Sequence, residues 1–542
     1  MRSVFRTSVL CRITTLALAC LLGWMLLRGL GDNPPGLFAD EAEIGLRTHE
    51  LLTGALPGFP LPLFYEHFLY SHLGALPLYA TAPVVLVLGW SDMAVRLSSV
   101  IWSVAAVLAL LGFVRQMQWR NGALAVALFA FSPVFIHISR INLGHAPSLF
   151  CVSAGLYAFV RFREQSSRLW GVAAGAALGL SVYGNAAYYL ATPVIVAGLL
   201  IGEWTVSRSA SRAGRALAVF LGTLLIAWIP VSLKALTNDG FMGRFQEKSV
   251  SGGTLLSSER LQSMVENYPK YFSPRYLFMV GESGLPGGSI IRHTVPGAGL
   301  FAWIALPLVV LGIVAIFRLK DGGGKAMAVA GLVMFVLYPL PDLVTTSSLN
   351  PPYTFAVFPT TIFVPLLTGV GIHWASGWFR GRDALLWSSY VLPIGLLVVI
   401  LGGAVGFFTG PYARYPDVGA GYYGWQYGPR QAIEALREHE GEYDRYHLDG
   451  HFNEAFVFLD FYLAEDPGFR ANSAIGGLEL VDLGQHDLYA IRSERYDAFM
   501  GSNDPLRRYV EVVDVVRYPN GAIALYLVDI GFENERPRGL PW

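Results

Sequence analysis

Residues 13–54 read ITTLALACLLGWMLLRGLGDNPPGLFADEAEIGLRTHELLTG. The apolar run from Ile13 to Leu30 is long enough to cross a hydrocarbon core about 30 Å thick. Shortly after it come Asp40, Glu41 and Glu43. Carboxylates this close to a bilayer are costly unless they face water, a partner or a substrate, so they mark a functional position by default. A plainer role is open as well. Glu41 to Leu52 has helical composition, which puts Asp40 near an N-cap, with Glu41 and Glu43 favouring the helix dipole.

The rest of the chain repeats the apolar half of this pattern. Of its 542 residues 54% are hydrophobic and 14% charged, against about 25% charged in ordinary soluble domains. Mean hydropathy is +0.46. A water-soluble fold does not hide that much apolar surface. Runs of spanning length fall near 13–30, 93–114, 122–139, 146–160, 169–184, 187–202, 216–235, 298–317, 326–341, 353–375 and 386–408, which predicts about 11 transmembrane helices.

Segment 71–90 is apolar but interrupted by Pro77 and Pro83. If it does not span, the basic turns Arg115 to Arg120, Arg161 to Arg168, Arg208 to Arg215, Arg318 to Lys325 and Arg380 to Arg382 all lie on the N-terminal side. If it spans, all of them move outward, against the excess of Lys and Arg in cytoplasmic loops. The expected topology is therefore a cytoplasmic N-terminus in the cytoplasmic membrane, a first extracytoplasmic loop at 31–92 and a long one at 237–297.

After residue 410 the chain carries 12 Arg, no Lys and 22 Asp and Glu. A tail this acidic suggests neither nucleic acid nor anionic lipid as a partner. It reads as α/β. Pro429 to Glu440 starts like a helix, with Pro in its first turn. Val510 to Tyr518 and Ala522 to Ile530 flank Pro519-Asn520-Gly521, a hairpin signal. The expectation is a polytopic α-helical membrane domain at 1–409 and a soluble extracytoplasmic α/β domain at 410–542. Gly322 to Gly324 is a low-complexity turn. Cys11, Cys20 and Cys151 sit in apolar segments as small hydrophobes, without disulfide or zinc spacing. Arg2, Arg6 and Arg12 precede an apolar run too long for a cleaved signal peptide.

The motifs, in their order, resemble those of the GT-C superfamily of membrane glycosyltransferases, in the branch of protein O-mannosyltransferases and lipid A aminoarabinose transferases. They are Asp40-Glu41-Ala42; Trp90-Ser91-Asp92 with Ala94-Val95-Arg96-Leu97-Ser98-Ser99; Phe131-Ser132-Pro133 with Ser139-Arg140; Phe278 to Glu282; and Arg292-His293-Thr294-Val295-Pro296-Gly297. The resemblance covers about residues 10 to 410 and extends weakly into Tyr422 to Glu434. It implies inverting transfer of a sugar from a polyprenyl-phosphate carrier to a hydroxyl of a lipid, glycan or protein, with Asp40 as catalytic base. A carboxylate can take the proton of a poorly nucleophilic hydroxyl, and a phosphate leaves as a stable anion without obligatory acid help.

Arg96, Arg140, Arg292 and His293 lie on the appropriate face to stabilise that anion, although an Arg at a span end also serves as a snorkelling anchor. Glu41 either positions the acceptor or has a structural role. Glu66 and His67 occupy the stretch where relatives place a second functional site. There the spacing is not diagnostic, and His67 with His72 are equally interfacial residues or ligands of a divalent metal. His137 and His145 read as satisfied core histidines beside Arg140. Glu282 and Asp342 are weaker candidates, and Tyr183, Tyr188 and Tyr189 fit an interfacial aromatic belt. No Gly-rich phosphate loop is present, which argues against ATP coupling and nucleotide-sugar use. The rival readings are a lipid-linked glycan flippase, expected to show inverted repeats, and a glycan polymerase or ligase.

Overall fold

The computed structural model describes residues 17–58, 60–67, 72–206, 210–238, 258–286, 290–319, 322–345, 351–378, 381–422, 424–478, 481, 483–531 and 534. Arg2, Arg6, Arg12, Cys11, Arg208, Arg380 and the stretch 239–257 of the long loop lie outside the described residues. Two compact units result. One is built from Met1–Arg28, Leu61–Ala80 and Leu97–Ala413; the other gathers Gly29–Pro60, Thr81–Arg96 and Arg414–Trp542. The second unit thus joins most of the first loop, including Asp40, with the tail, across a separation that a boundary drawn along the sequence at 409/410 does not follow.

The first unit is helical. Among the described residues six helices are long and apolar enough to cross a membrane: Asp92–Gln116, whose first residues belong to the second unit, then Tyr188–Val206, Leu217–Thr237, Gly323–Val344, Thr354–Ala375 and Trp387–Thr409. The count of about eleven is not reached by helices of that length, and sequence chemistry gives one reason. Run 122–139 is two helices, Ala123–Ala130 and Pro133–Ser139. Pro133 cannot continue a preceding helix, and the Ser132 hydroxyl accepts from the Phe135 N–H at 3.3 Å, so Ser-Pro starts a new one. Leu76–Leu88 is a helix of 13 residues with Pro83 inside it. It measures about 20 Å, short of a hydrocarbon core of about 30 Å.

Close packing in this unit rests on small residues. A Cβ added at Gly202 of the Tyr188–Val206 helix would lie 2.2 Å from the Ala326 carbonyl, and one at Gly312 would lie 2.1 Å from that of Leu367. Where lipid removes the hydrophobic drive for helix association, such backbone approach supplies the van der Waals contact. Tyr183 and Tyr188 are not belt residues. Both are buried, and their hydroxyls donate to the carbonyls of Ala227 and His145, at 2.8 and 3.1 Å. A short hairpin, β1 (Phe64–Tyr65) and β2 (Leu73–Gly74), completes the unit's regular structure.

The second unit is α/β. Its five-stranded sheet has the order β4-β3-β5-β7-β6, with β3 (Arg445–Asp449), β4 (Ser473–Gly476), β5 (Asp487–Arg492), β6 (Val510–Arg517) and β7 (Ile523–Ile530). β3 is parallel to both β4 and β5, while β5, β7 and β6 are antiparallel neighbours. The turn at Asn520-Gly521, with Gly521 at φ +88°, closes the β6–β7 hairpin. Pro429–Glu438 is helical with Pro at its first position. One sheet face buries Tyr489, Ile491, Val528 and Ile530 against Tyr496 and Phe499 of the Ser493–Met500 helix. The Ala455–Tyr462 helix packs on the Ala39–Thr53 helix so closely that a Cβ at Gly45 would lie 2.3 Å from the Phe461 ring.

Candidate active site

The helix that carries the acidic motif runs Ala39–Thr53 and begins earlier than composition predicts. Phe38, in extended conformation, is its N-cap, which places Asp40 in the first turn and not at the cap. Glu41 reaches back to accept the Phe38 N–H at 3.2 Å, the side-chain half of a capping box. Glu41 is fully buried and so is Arg96, and they meet fork to fork: Nε to Oε1 at 3.1 Å and Nη2 to Oε2 at 2.9 Å. Arg96 also donates to the carbonyls of Leu30 (3.3 Å), Pro34 (2.6 Å) and Gly36. Its guanidinium lies 5.4 Å from the ring of buried Trp425.

The local chain explains this basket. Pro34 and Pro35 have no N–H to satisfy, and Gly36 turns at φ +74°, so the loop presents carbonyl oxygens to a cation. A bidentate, fully hydrogen-bonded pair is the geometry in which a buried ion pair repays its desolvation. The result is a rigid first turn with half-buried Asp40 next to Glu41 in sequence. Glu43 is buried too and takes Arg47 Nε at 2.9 Å, so its role is structural.

One turn before Arg96 stands Asp92, 2% exposed, accepting from Arg430 at 3.2 Å and from the Tyr462 hydroxyl at 3.0 Å. Burial, then the charge of Asp92, raises the Tyr462 phenol well above its ordinary range and keeps it protonated as a donor. Arg430 also lies 3.5 Å from Asp32. Nearby is a cavity of about 280 Å³ whose lining includes Asp32, Asn33, Gly36, Tyr427, Arg430 and Pro519. Arg430, Tyr462 and Trp425 escape sequence reasoning, because no local pattern ties a tail residue to a first-loop charge.

The other predicted residues fall in the first unit. Arg140 is buried and donates to the carbonyls of Met25 (2.7 Å) and Arg28 (2.8 Å), which end the Ala17–Leu27 helix; a cation suits a helix C-terminus. Its guanidinium sits 5.3 Å from the Tyr412 ring. His293 is buried, with Nδ1 2.7 Å from Glu282 Oε1, and its ring packs against Tyr353 and Phe355 at 4.3 and 4.5 Å. Half-buried Arg292 offers its carbonyl to His137 Nε2 at 2.7 Å. Glu66 is exposed and His67 buried, so the two side chains meet different surroundings.

Glu282 and Asp342, the weaker candidates, each anchor the 353–354 segment: Glu282 accepts from Thr354 N–H at 2.7 Å, and Asp342 from Tyr353 N–H at 2.6 Å and from the Tyr271 hydroxyl. His145 departs from expectation. It is buried among Tyr188, Phe355 and Phe358, yet among the described residues neither ring nitrogen finds a hydrogen-bond partner. Among the described residues, no three His, Cys, Asp or Glu side chains converge as metal ligands.

Residues 75–233 match the family model of dolichyl-phosphate-mannose-protein mannosyltransferases. The solved structure of apo ArnT from Cupriavidus metallidurans aligns with a TM-score of 0.52 at 11% identity, covering 97% of this chain and 100% of that one. The same protein bound to undecaprenyl phosphate aligns at 0.53 and 14% identity, covering 97% and 99%. The chain shares the fold of that structure. No curated protein sequence matches it. Within this fold the Asp40-Glu41 motif stands on the first-loop helix, and Arg96 lies one turn into the helix Asp92–Gln116.

Proposed function

We propose that this membrane protein is an inverting glycosyltransferase that moves a sugar from a polyprenyl-phosphate carrier to a hydroxyl acceptor, a lipid, glycan or protein, at the outer face of the cytoplasmic membrane. The observation that carries the reading is the buried Glu41–Arg96 pair, which fixes the first turn of the helix bearing Asp40. Likeness of fold to a protein solved with undecaprenyl phosphate supports a lipid-phosphate donor.

In the reaction, the Asp40 carboxylate takes the proton of the acceptor hydroxyl while its oxygen attacks the anomeric carbon from the face opposite the phosphate. The bond from that carbon to the phosphate oxygen breaks, and the electron pair leaves with the phosphate. Configuration at the carbon inverts. A base so placed contributes about 10²- to 10⁴-fold. Of the four groups expected to face the departing anion, Arg140, Arg292 and His293 are the ones we assign to it; Arg96 donates instead to Glu41 and to loop carbonyls, so we make Arg96 and Glu41 positioning residues. The N-terminus is cytoplasmic and the tail extracytoplasmic, as the distribution of basic turns requires.

Complementation of a deletion strain tests the proposal. The wild-type chain should restore the parental profile of envelope lipids and glycans, whereas Asp40→Asn and Asp40→Ala, present in the membrane at normal level, should not. Restoration by Asp40→Asn would overturn the assignment.

A further inference from the structure

In the tail, the chain leaves β3 to build β4 on one side, and leaves β5 to build β6 and β7 on the other. The connections diverge at the carboxyl ends of the adjacent parallel strands β3 and β5. In open α/β sheets, ligands bind in the crevice at such a point. What occupies it here is a built constellation. Asp449, the last residue of β3 and fully buried, accepts from the His451 N–H at 2.9 Å, the Arg492 N–H at 3.0 Å and the Arg495 guanidinium at 2.7 Å. One carboxylate therefore ties both strand ends together.

Arg492, the last residue of β5, lies 5.0 Å from the Tyr422 ring and 5.6 Å from that of Phe452, and its Nη2 is 3.3 Å from Glu494. The loop after β3 is held by the Asn453 N–H donating to Gln426 at 2.8 Å, while His451, Glu494 and Tyr422 are exposed.

The charges cancel, Asp449 with Arg495 and Glu494 with Arg492, which disfavours a phosphate or another anion as ligand. What stays exposed around it are the Tyr422 ring and the His451 and Glu494 side chains, an aromatic face beside polar groups that can donate and accept. That is the recognition chemistry of a neutral polyhydroxylated molecule, whose hydroxyls donate and accept while its C–H face covers a ring. We propose that this crevice is a carbohydrate-binding site, distinct from the Asp40 helix, that holds a sugar unit of a glycan. The choice of a glycan as ligand rests on the glycosyltransferase reading.

The test uses the full chain in lipid nanodiscs and a panel of neutral oligosaccharides of two to six mannose, glucose, galactose or arabinose units, with binding read by saturation-transfer NMR and titration. At least one oligosaccharide should bind, and Tyr422→Ala and His451→Ala, both at exposed positions, should each weaken it tenfold or more with an unchanged unfolding temperature. Absence of binding by the wild-type chain across the panel, or equal affinity in both variants, would overturn the site. The two proposals fail separately. Asp40→Asn complementation reads transfer alone, so an intact transfer reading with no oligosaccharide bound rejects only the crevice, and bound oligosaccharide with an active Asp40→Asn rejects only the transfer mechanism.

Discussion

Glu41 and Glu282 are both buried carboxylates, yet they are satisfied by different chemistry. Glu41, in the second unit, faces Arg96, a cation that proteins do not deprotonate, in a two-point contact completed by backbone carbonyls. Glu282, in the first unit, faces a backbone N–H and a histidine ring. The first arrangement holds a charge and, through it, the helix bearing Asp40. The second holds a chain segment, 353–354, and depends much less on the charge itself. A buried carboxylate is thus informative through its partner more than through its presence.

Breaking the ionic side should cost most. Arg96→Ala leaves Glu41 buried without its cation, an expected loss of about 3–5 kcal/mol, read as a drop in unfolding temperature of the detergent-purified chain. Glu41→Gln should approach the same figure, because an amide N–H cannot accept from the guanidinium. The contrast between the two carboxylates collapses if either variant is no worse than Glu282→Gln.

Next comes packing. Gly45→Ala drives a methyl into Phe461 and should cost about 1–3 kcal/mol, with partial recovery in Gly45→Ala/Phe461→Leu. No recovery would mean that the helix contact is not what the substitution disturbs.

Glu282→Gln sharpens the comparison from the neutral side. Its amide oxygen can keep the Thr354 N–H and its NH₂ can face the histidine nitrogen, so the expected loss is about 1 kcal/mol. A loss equal to that of Glu41→Gln would show that charge matters equally in both units.

The smallest effect concerns Tyr462, whose folded-state pKa is raised by burial first and Asp92 second. A raised pKa contributes stability that is present below the unfolded value of about 10 and is lost as pH rises through the folded one. Tyr462→Phe should therefore cost about 0.5–1.5 kcal/mol near neutrality and flatten the decline in stability above pH ~10. An unchanged alkaline limb in the variant would remove Tyr462 from the account.

Much of this was legible beforehand, for local reasons. Ser132-Pro133 is an exception. The apolar run 122–139 looks continuous, but a residue lacking an N–H preceded by a capping hydroxyl divides it. Asp40-Glu41 stood out because carboxylates beside an apolar run are rare. Which of the two is pinned by a buried cation did not, since either could cap the helix or face a substrate. The tail's hairpin and its Pro429 helix were visible through Asn-Gly and N1 Pro, whereas the crevice at Asp449 and Arg492 was not, because strand order across a sheet leaves no mark on neighbouring residues.

The residues alone establish the apolar, membrane-type character of this chain and where its carboxylates gather, because the cost of polar groups in hydrocarbon is set residue by residue. Only the tertiary structure decided that Glu41 belongs to Arg96, 55 residues away, and that Trp425 and Phe461 of the tail close around the same helix. Partners so distant in sequence are chosen by which surfaces pack together, a choice that no local preference encodes.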